Sequence, residues 1–202
     1  MSKIFNHLAI VFFVMIFISS CDLFYDENDN KANDEGIISL DVGNKYIFQF
    51  EEYNSNQDSS WYLIDSIISK TRNKGNTYYE RSVGGWYRAD NEKVYVKLYN
   101  DINSEEYLSL DYSVDISDTI EYSNNKYIVE AIIFDTLFND CSEQKIITIS
   151  NEPFNEDAIK RTKYSTKYGL LQHIEINNNW NDTLYKTLIG AKIEDEFYGE
   201  IK

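Results

Sequence analysis

Residues that commonly build catalytic and metal sites are scarce in this 202-residue chain. Beyond position 21, the only histidine is His173 and the only cysteine is Cys141. Zinc sites take several such ligands, and a serine–histidine–aspartate triad would have to use His173. The chain also has neither a Gly-x-Ser-x-Gly motif nor a glycine-rich phosphate loop. We therefore interpret His173 as a structural or solvent-facing histidine, and we predict no metal, no cofactor and no enzymatic activity.

Positive charge is also in short supply. The chain has 19 lysines and arginines against 34 aspartates and glutamates, for a formal net charge of −15. Nucleic-acid binding depends on lysine and arginine patches that neutralise phosphates, so we exclude nucleic acid as a partner. The simplest interpretation of the acidity is solubility and mutual repulsion on a crowded surface. A diffuse cation site or a basic protein partner is the alternative.

Helix-forming signals are weak as well. Alanine and leucine are uncommon, and no apolar pattern with helical spacing extends over about 12 residues. By contrast, the chain has 17 tyrosines and 11 phenylalanines, and it is rich in isoleucine, residue types that favour strands. Parallel strands need long crossover connections, which are missing here. The sequence therefore predicts an all-β fold, an antiparallel meander of about a dozen short strands that forms a barrel, a half-barrel or a sandwich.

Alternation of apolar and polar residues places the strongest strands. Tyr46, Phe48 and Phe50 alternate with polar residues, which is typical of a half-buried strand. Segments 61–69 and 126–134 are apolar on both faces, and we predict that both are central strands of the sheet.

Further along the chain, the pattern also assigns inward-facing side chains. Val94, Val96 and Leu98 are predicted to point inward from a strand over residues 93–99. The last strong strand is predicted at residues 183–193. The acidic tail that follows carries no clear strand signal.

The N-terminal segment contains an apolar run that is too short to cross a bilayer. Leu8–Ile18 is an unbroken apolar run of 11 residues, preceded by Lys3 and followed by Ser19, Ser20 and Cys21. A spanning helix needs about 20 residues, whereas the apolar core of a signal peptide needs about 7–15. This arrangement resembles the lipoprotein signal of bacteria. The resemblance implies cleavage immediately before Cys21, a diacylglyceryl thioether on its sulfur, and acylation of its new amine.

These features divide the chain into a signal peptide (1–20), a lipidated cysteine with an acidic linker (21–36) and a single all-β domain (37–202). Removing the signal peptide deletes one cation, Lys3, and no acid, so the net charge becomes −16. The linker is polar and has no hydrophobic period, which predicts a disordered tether. Cys141 is then the remaining thiol. We predict that it is a buried small side chain, with a reactive thiol as the alternative.

The lipid on Cys21 makes a membrane the first predicted partner and the cell envelope the predicted location. The outer membrane is favoured, on its periplasmic face or at the cell surface. The inner membrane remains the alternative, because acidic residues that follow a lipidated cysteine act as export signals in some bacteria and as retention signals in others.

Two short motifs are similar to segments of small uncharacterised bacterial lipoproteins with all-β mature domains. Val42–Tyr46, followed by alternating aromatic residues, resembles the opening of their first strand. Tyr168–Leu171 partly matches a glycine-containing turn near their ends and lacks its first glycine. No activity is assigned to that family, so the resemblance implies fold and location only.

The candidate ligand-binding residues are three tryptophans, Trp61, Trp86 and Trp180, which could form a platform for a sugar or a peptide. Trp180 follows three asparagines in a predicted turn and is the strongest candidate for an exposed ring. Paired carboxylates are the only abundant chemistry, and glycoside hydrolysis uses two of them across a cleft. The candidate clusters are Glu51/Glu52, Asp111/Asp115/Asp118 and Glu194/Asp195/Glu196. We interpret these clusters as solvated turns and strand edges, with a catalytic pair as the alternative.

From these observations we predict a lipid-anchored envelope protein that binds a partner or ligand through its β-domain without catalysis. The alternative is a carrier or sugar-binding module with an aromatic-lined cavity, whose ligand is a glycan or an apolar molecule. A carboxylate-based hydrolase is the weakest hypothesis. A protein, a glycan and an apolar ligand all stay open as partners at this stage.

Overall fold

The computed structural model describes residues 38–54, 57–98, 101–122, 125–140, 142–152 and 157–199, with the side chain of Tyr122 excepted. The predictions for the signal peptide, for Cys21 and its linker, and for Cys141 fall outside these ranges. All of the described residues belong to one unit, Glu35–Lys202.

Thirteen strands run through the described ranges, and every pair of neighbours is antiparallel. In chain order they are β1 (Lys45–Tyr53), β2 (Ser59–Asn73), β3 (Asn76–Arg81), β4 (Trp86–Asp90), β5 (Lys93–Lys97), β6 (Glu106–Asp111), β7 (Thr119–Tyr122), β8 (Asn125–Asp135), β9 (Gln144–Ser150), β10 (Ala158–Ser165), β11 (Gly169–Asn177), β12 (Asp182–Ile193) and β13 (Glu196–Gly199).

The sheet is a meander with a single interruption. Its order is β6-β5-β4-β3-β2-β1-β12-β11-β10-β9-β8-β7, and β13 pairs with β12 outside this path. Consecutive strands pair throughout except at β6 and β7, and the first strand pairs with β12. The prediction of an all-β antiparallel meander is confirmed. A closed barrel is excluded because β6 and β7 do not pair with each other in the described residues.

Two apolar clusters show that the sheet curls around its own interior. In one, Val94 and Leu110 from β5 and β6 pack with Val129, Ile147 and Ile149 from β8 and β9. The two ends of the sheet therefore contact each other through side chains rather than through backbone hydrogen bonds.

The second cluster lies in the middle of the sheet. Tyr46 and Phe48 of β1 pack there with Ile67 of β2 and Leu188 of β12. The alternation predicted for the first strand is confirmed, because Tyr46 and Phe48 are buried. The strand predicted over 183–193 is confirmed as β12.

The connection between β6 and β7 crosses from one end of the sheet to the other. Tyr112 is fully buried, and its hydroxyl donates to the carbonyl of Ser165 at 2.6 Å. The Lys145 ammonium donates to the carbonyl of Tyr112. These contacts hold the chain across the interior, so β7 begins beside β8 and not beside β6.

The two strands predicted to be central, β2 and β8, each have a neighbour on both sides, although β8 lies next to the edge strand β7, and neither is buried on both faces. Ile64 is 58% exposed and Phe134 is 62% exposed. Apolar residues on both faces of these strands therefore reflect strand propensity on the outer face as well as burial on the inner face.

Two details at strand ends differ from the sequence interpretation. Leu98 is 44% exposed instead of inward-facing, because β5 ends at Lys97 and the alternation ends with it. The tail contains β13, which follows a tight turn in which both Glu194 (φ 51°) and Asp195 (φ 69°) are left-handed. Glycine or asparagine usually marks such a turn, so this hairpin had no recognisable signal.

Candidate functional site

The strands β6 and β7 are the two edges of the sheet, and they do not pair with each other in the described residues. We call the gap between these two edges the seam. A cavity of about 200 Å³ lies in the seam. One wall is the edge strand β6, through Leu108, Ser109, Leu110 and Asp111. The other wall is built by β7 to β11. Its lining residues are Ile120, Glu121, Tyr127, Ile149, Lys160, Thr162, Tyr164 and His173.

A second cavity of about 250 Å³, which we call the deep cavity, is lined by residues of β1, β2 and β12 among others. It shares Ser109, Leu110 and Tyr164 with the seam cavity, so the two are adjoining parts of one cleft. Its lining is mostly apolar and aromatic, with two cationic side chains, Arg81 and Lys186. Taken together, the two volumes fall within the range of small-molecule sites, about 300–1,000 Å³.

Strand register places a row of polar side chains across the floor of the cleft. Phe50 pairs with Lys186, Lys186 with His173, and His173 with Thr162. Directly paired residues in a sheet project from the same face. Three polar groups therefore lie side by side on one face of the sheet.

The ammonium of Lys186 lies against aromatic rings. Its Nζ is 4.3 Å from the ring centroid of Phe48 and 5.4 Å from that of Phe50. Burial and the nearby positive charge of Arg81 lower the pKa of Lys186 to about 8. Among the described residues, no carboxylate lies within ion-pair distance of Lys186.

His173 is half-buried in the same row. Its Nδ1 lies 2.9 Å from the hydroxyl of Thr162, and its Nε2 lies 3.7 Å from a carboxylate oxygen of Glu175. Glu175 forms an ion pair with Lys160 at 3.0 Å. Burial lowers the pKa of His173 despite the opposing charge of Glu175, so the imidazole is neutral near pH 7. The histidine can therefore exchange hydrogen bonds in the cleft without adding charge.

Arg81 is the second cation of the deep cavity. It pairs with the fully buried carboxylate of Asp65, and its guanidinium carbon lies 4.7 Å from the ring centroid of Tyr87. Its Nε is buried and has no hydrogen-bond partner within the described ranges. The charge of Arg81 is therefore largely neutralised by Asp65, whereas that of Lys186 is not.

Of the predicted carboxylate clusters, only Asp111 lines either of the two cavities. Asp111 lines the seam cavity, and Glu121 stands on its other wall. Burial opposes ionisation of Asp111, but hydrogen bonds from Ser113 and an ion pair with Lys93 prevail and lower its pKa. A carboxylate with a lowered pKa is a poor general acid at neutral pH.

The three candidate tryptophans lie on separate elements, and neither cavity lining includes them. Trp61 stacks on Phe50 with ring centroids 5.2 Å apart. Trp86 lies on the face of β4 opposite to Tyr87, which lines the deep cavity. The indole N–H of Trp86 is buried and has no hydrogen-bond partner in the described residues. Trp180 is 70% exposed in the turn between β11 and β12, in line with its predicted exposure. The predicted ligand roles of these residues stay predictions.

Sequence reasoning missed Lys186 and Arg81. A signal for Lys186 was present, since it stands between Leu184 and Leu188 on one face of β12, and a lysine on an apolar strand face is unusual. No comparable pattern in the sequence marks Arg81, because its position in the cleft depends on how the sheet curls and so brings β3 towards β12.

Two absences apply to the described ranges alone. There, no helix is long and apolar enough to cross a membrane. The same ranges contain no group of three or more acidic, histidine or cysteine side chains arranged to hold a metal ion.

Comparison with known proteins gives distant structural likenesses. No protein-family model matches the chain, and no curated protein matches it. A crystal structure of a protein inferred to be exported, with a YmcC-like fold, from Bacteroides fragilis is similar at 7% identity and a TM-score of 0.48. A crystal structure of an inferred lipoprotein from Parabacteroides distasonis is similar at 10% identity and a TM-score of 0.35.

Each likeness covers 80% of this chain and 98% of the other one. Both TM-scores lie below 0.5, so neither likeness carries an inference about family or function. The function of this chain must therefore be argued from its own residues.

Proposed function

We propose that this protein is a lipid-anchored, non-enzymatic binding module of the bacterial cell envelope that takes an apolar or amphipathic ligand into the cleft. The observation that carries the proposal is the seam. Within the described ranges, the consecutive strands β6 and β7 do not pair with each other, and a cavity lies between them and adjoins a second one. A ligand could enter the interior between these two edges without separating any pair of hydrogen-bonded strands.

The anchor in this proposal rests on the sequence around Cys21. Two or three acyl chains on one cysteine hold a protein stably at a membrane, whereas a single chain gives marginal binding. Export followed by lipidation would place the β-domain in the cell envelope, with the outer membrane favoured. A membrane-anchored domain with an apolar cleft lies close to a supply of apolar and amphipathic molecules.

A binding role suits the described chemistry better than hydrolysis does. The lowered pKa of Asp111 disfavours a general acid at the seam, and the neutral His173 has Thr162 and Glu175 as neighbours without a recognisable nucleophile motif. An apolar ligand suits the cleft better than a glycan does, because Trp61, Trp86 and Trp180 lie outside both cavity linings.

The test is binding of the neutral apolar dye N-phenyl-1-naphthylamine to the full lipidated chain in phosphatidylcholine vesicles. We expect saturable fluorescence enhancement after subtraction of empty vesicles. Ser109→Trp places a large ring where the two cavities meet and should weaken dye binding about tenfold or more by filling the site.

The matched control is Ser60→Trp, which adds the same ring at an exposed position of β2 and should bind the dye normally. Far-UV circular dichroism checks that both variants keep their strand content. The proposal is wrong if the wild-type chain shows no saturable binding, or if Ser109→Trp binds the dye as well as Ser60→Trp does.

A further inference from the structure

Lys186 occupies a position that a strand ordinarily gives to an apolar residue. Leu184 and Leu188 flank it on the inner face of β12, and the rings of Phe48 and Phe50 lie against its ammonium. Two aromatic faces attract a cation electrostatically, but they accept few of the hydrogen bonds that three N–H groups can donate. The ammonium of Lys186 has therefore lost part of its hydration, and its contacts with the two rings replace only part of the lost interaction with water.

The other cations near the cleft have acidic partners. Arg81 pairs with Asp65, and Lys160 pairs with Glu175. Lys186 lacks such a carboxylate among the described residues, although the chain as a whole carries far more acids than bases. A partly buried cation without an anion is costly to keep, and an anionic ligand would remove that cost.

The apolar space lies directly beside this cation. Lys186 lines the deep cavity, and so do Phe48, Leu170 and Tyr168. A molecule with an apolar body and one negative head would match both parts of this lining.

We infer that Lys186 binds the anionic head of an amphipathic ligand whose apolar part fills the cleft. This inference rests on the proposed function and adds the chemical class of the ligand, a single anionic head group on an apolar body. A carboxylate and a phosphate ester share this chemistry, and the experiment below separates them. Lys186 acts as a binding residue and no covalent step is involved.

Binding of such an anion should weaken as the pH rises through the pKa of Lys186. The charged and titratable groups that line the two cavities or lie on the inner faces of the strands around Lys186 are Tyr46, Glu52, Asp65, Arg81, Tyr87, Asp111, Glu121, Tyr127, Lys160, Tyr164, Tyr168, His173 and Glu175. The pKa of Tyr46 is raised by burial and that of His173 is lowered by burial, so neither changes its charge between about pH 7 and pH 9.5. Lys186, with a pKa of about 8, changes from mostly charged to mostly neutral over this interval.

The experiment uses two dyes that differ by one charge. 1-Anilinonaphthalene-8-sulfonate is N-phenyl-1-naphthylamine with an added sulfonate, which stays ionised at all relevant pH values. With the full lipidated chain in phosphatidylcholine vesicles, we expect the affinity for the sulfonate dye to fall about tenfold between pH 7 and pH 9.5. The affinity for the neutral dye should stay constant.

Three variants assign the effect to Lys186. Lys186→Met should weaken binding of the sulfonate dye about tenfold at pH 7, remove its pH dependence and leave the neutral dye unaffected. Lys186→Arg keeps the charge above pH 9.5, so it should retain affinity and also lose the pH dependence. Lys70→Met, which removes a lysine from an exposed position of β2, should behave like the wild type.

Competition against the sulfonate dye identifies the head group. Displacement by oleate alone assigns the site to a carboxylate, and displacement by both oleate and oleyl phosphate assigns it to anionic heads in general. The inference is overturned if Lys186→Met binds both dyes like the wild type, or if the pH titration of the wild type is flat. Failure of the neutral dye to bind at all would overturn the proposed function itself, so the two failures are distinguishable.

Discussion

Asp65 is a fully buried carboxylate in the floor of an otherwise apolar strand face. It pairs with Arg81, and its other oxygen accepts a weak hydrogen bond from Ser82 at 3.4 Å. Buried ion pairs need such partners because both charges have left water. The pair therefore fixes the position of Arg81, and with it one of the two cations of the deep cavity.

We expect Asp65→Asn to lower the free energy of unfolding by about 3 kcal/mol, because Arg81 would remain largely buried without a counter-charge. Urea unfolding of the full chain in phosphatidylcholine vesicles, followed by circular dichroism, measures the change. Glu152→Gln serves as the control, since it removes a long ion pair with Arg161 whose side chains are both about half exposed. That loss should stay below about 1 kcal/mol. Equal effects of the two substitutions would contradict the structural role given to Asp65.

At the scale of single strands, β13 shows how a short, charged segment becomes part of the sheet. Its four residues pair with the end of β12, where β11 no longer does. The backbone N–H of Gly199 donates to the side chain of Asn139 at 3.2 Å, and the ring of Tyr198 packs edge-on against Tyr168. β13 thus covers an edge of β12 that would otherwise offer unpaired backbone groups.

Gly199→Ala tests this docking. Both Gly199 (φ 85°) and Gly75 (φ 88°) have a left-handed backbone, so alanine carries the same conformational cost at either position. At Gly199 the added Cβ would lie 2.5 Å from the carbonyl oxygen of Ile189, whereas at Gly75 nothing lies within 4 Å. We expect Gly75→Ala to destabilise by about 1 kcal/mol and Gly199→Ala by about 1–3 kcal/mol more, measured by urea unfolding. Similar losses for both variants would show that β13 is not packed as described.

For the whole molecule, the proposed lipid on Cys21 would decide compartment and orientation, and the excess of acidic residues would favour mutual repulsion between neighbouring copies. A net charge of −16 after signal removal disfavours direct contact with anionic lipid headgroups. An anionic ligand would likewise be repelled at long range. Its binding would therefore have to depend on short-range contacts inside the cleft. Salt screens the repulsion from surface charges that lie more than about 10 Å away.

Cys21→Ala should leave an unprocessed precursor in a bacterial host, because the lipid attachment that precedes cleavage needs the thiol. Intact-mass spectrometry should show residues 1–20 retained and no lipid added. Cys141→Ala is the matched control, since it removes the other cysteine and should be processed and lipidated normally. A Cys21→Ala chain that is soluble and correctly cut would overturn the proposed anchor.

Much of the sheet could be predicted from local pattern. Alternation at Tyr46, Phe48 and Phe50 identified β1, and the apolar run at 183–193 identified β12, because a half-buried strand imposes a period of two on its own residues. The alternation of apolar and polar residues could not locate β13, because the turn before it lacks glycine and asparagine. It also could not predict which apolar strand faces are exposed to solvent.

The amino-acid sequence by itself determined the strand content, the antiparallel meander and the lysine between two leucines on β12. Only the tertiary structure decided where the meander opens. Consecutive strands usually pair, so nothing in the residues of β6 or β7 marks them as unpaired neighbours. The interruption depends on Tyr112, whose burial and bond to the Ser165 carbonyl carry the chain across the interior. A contact between residues 53 positions apart has no local pattern, because it exists only once the sheet has curled.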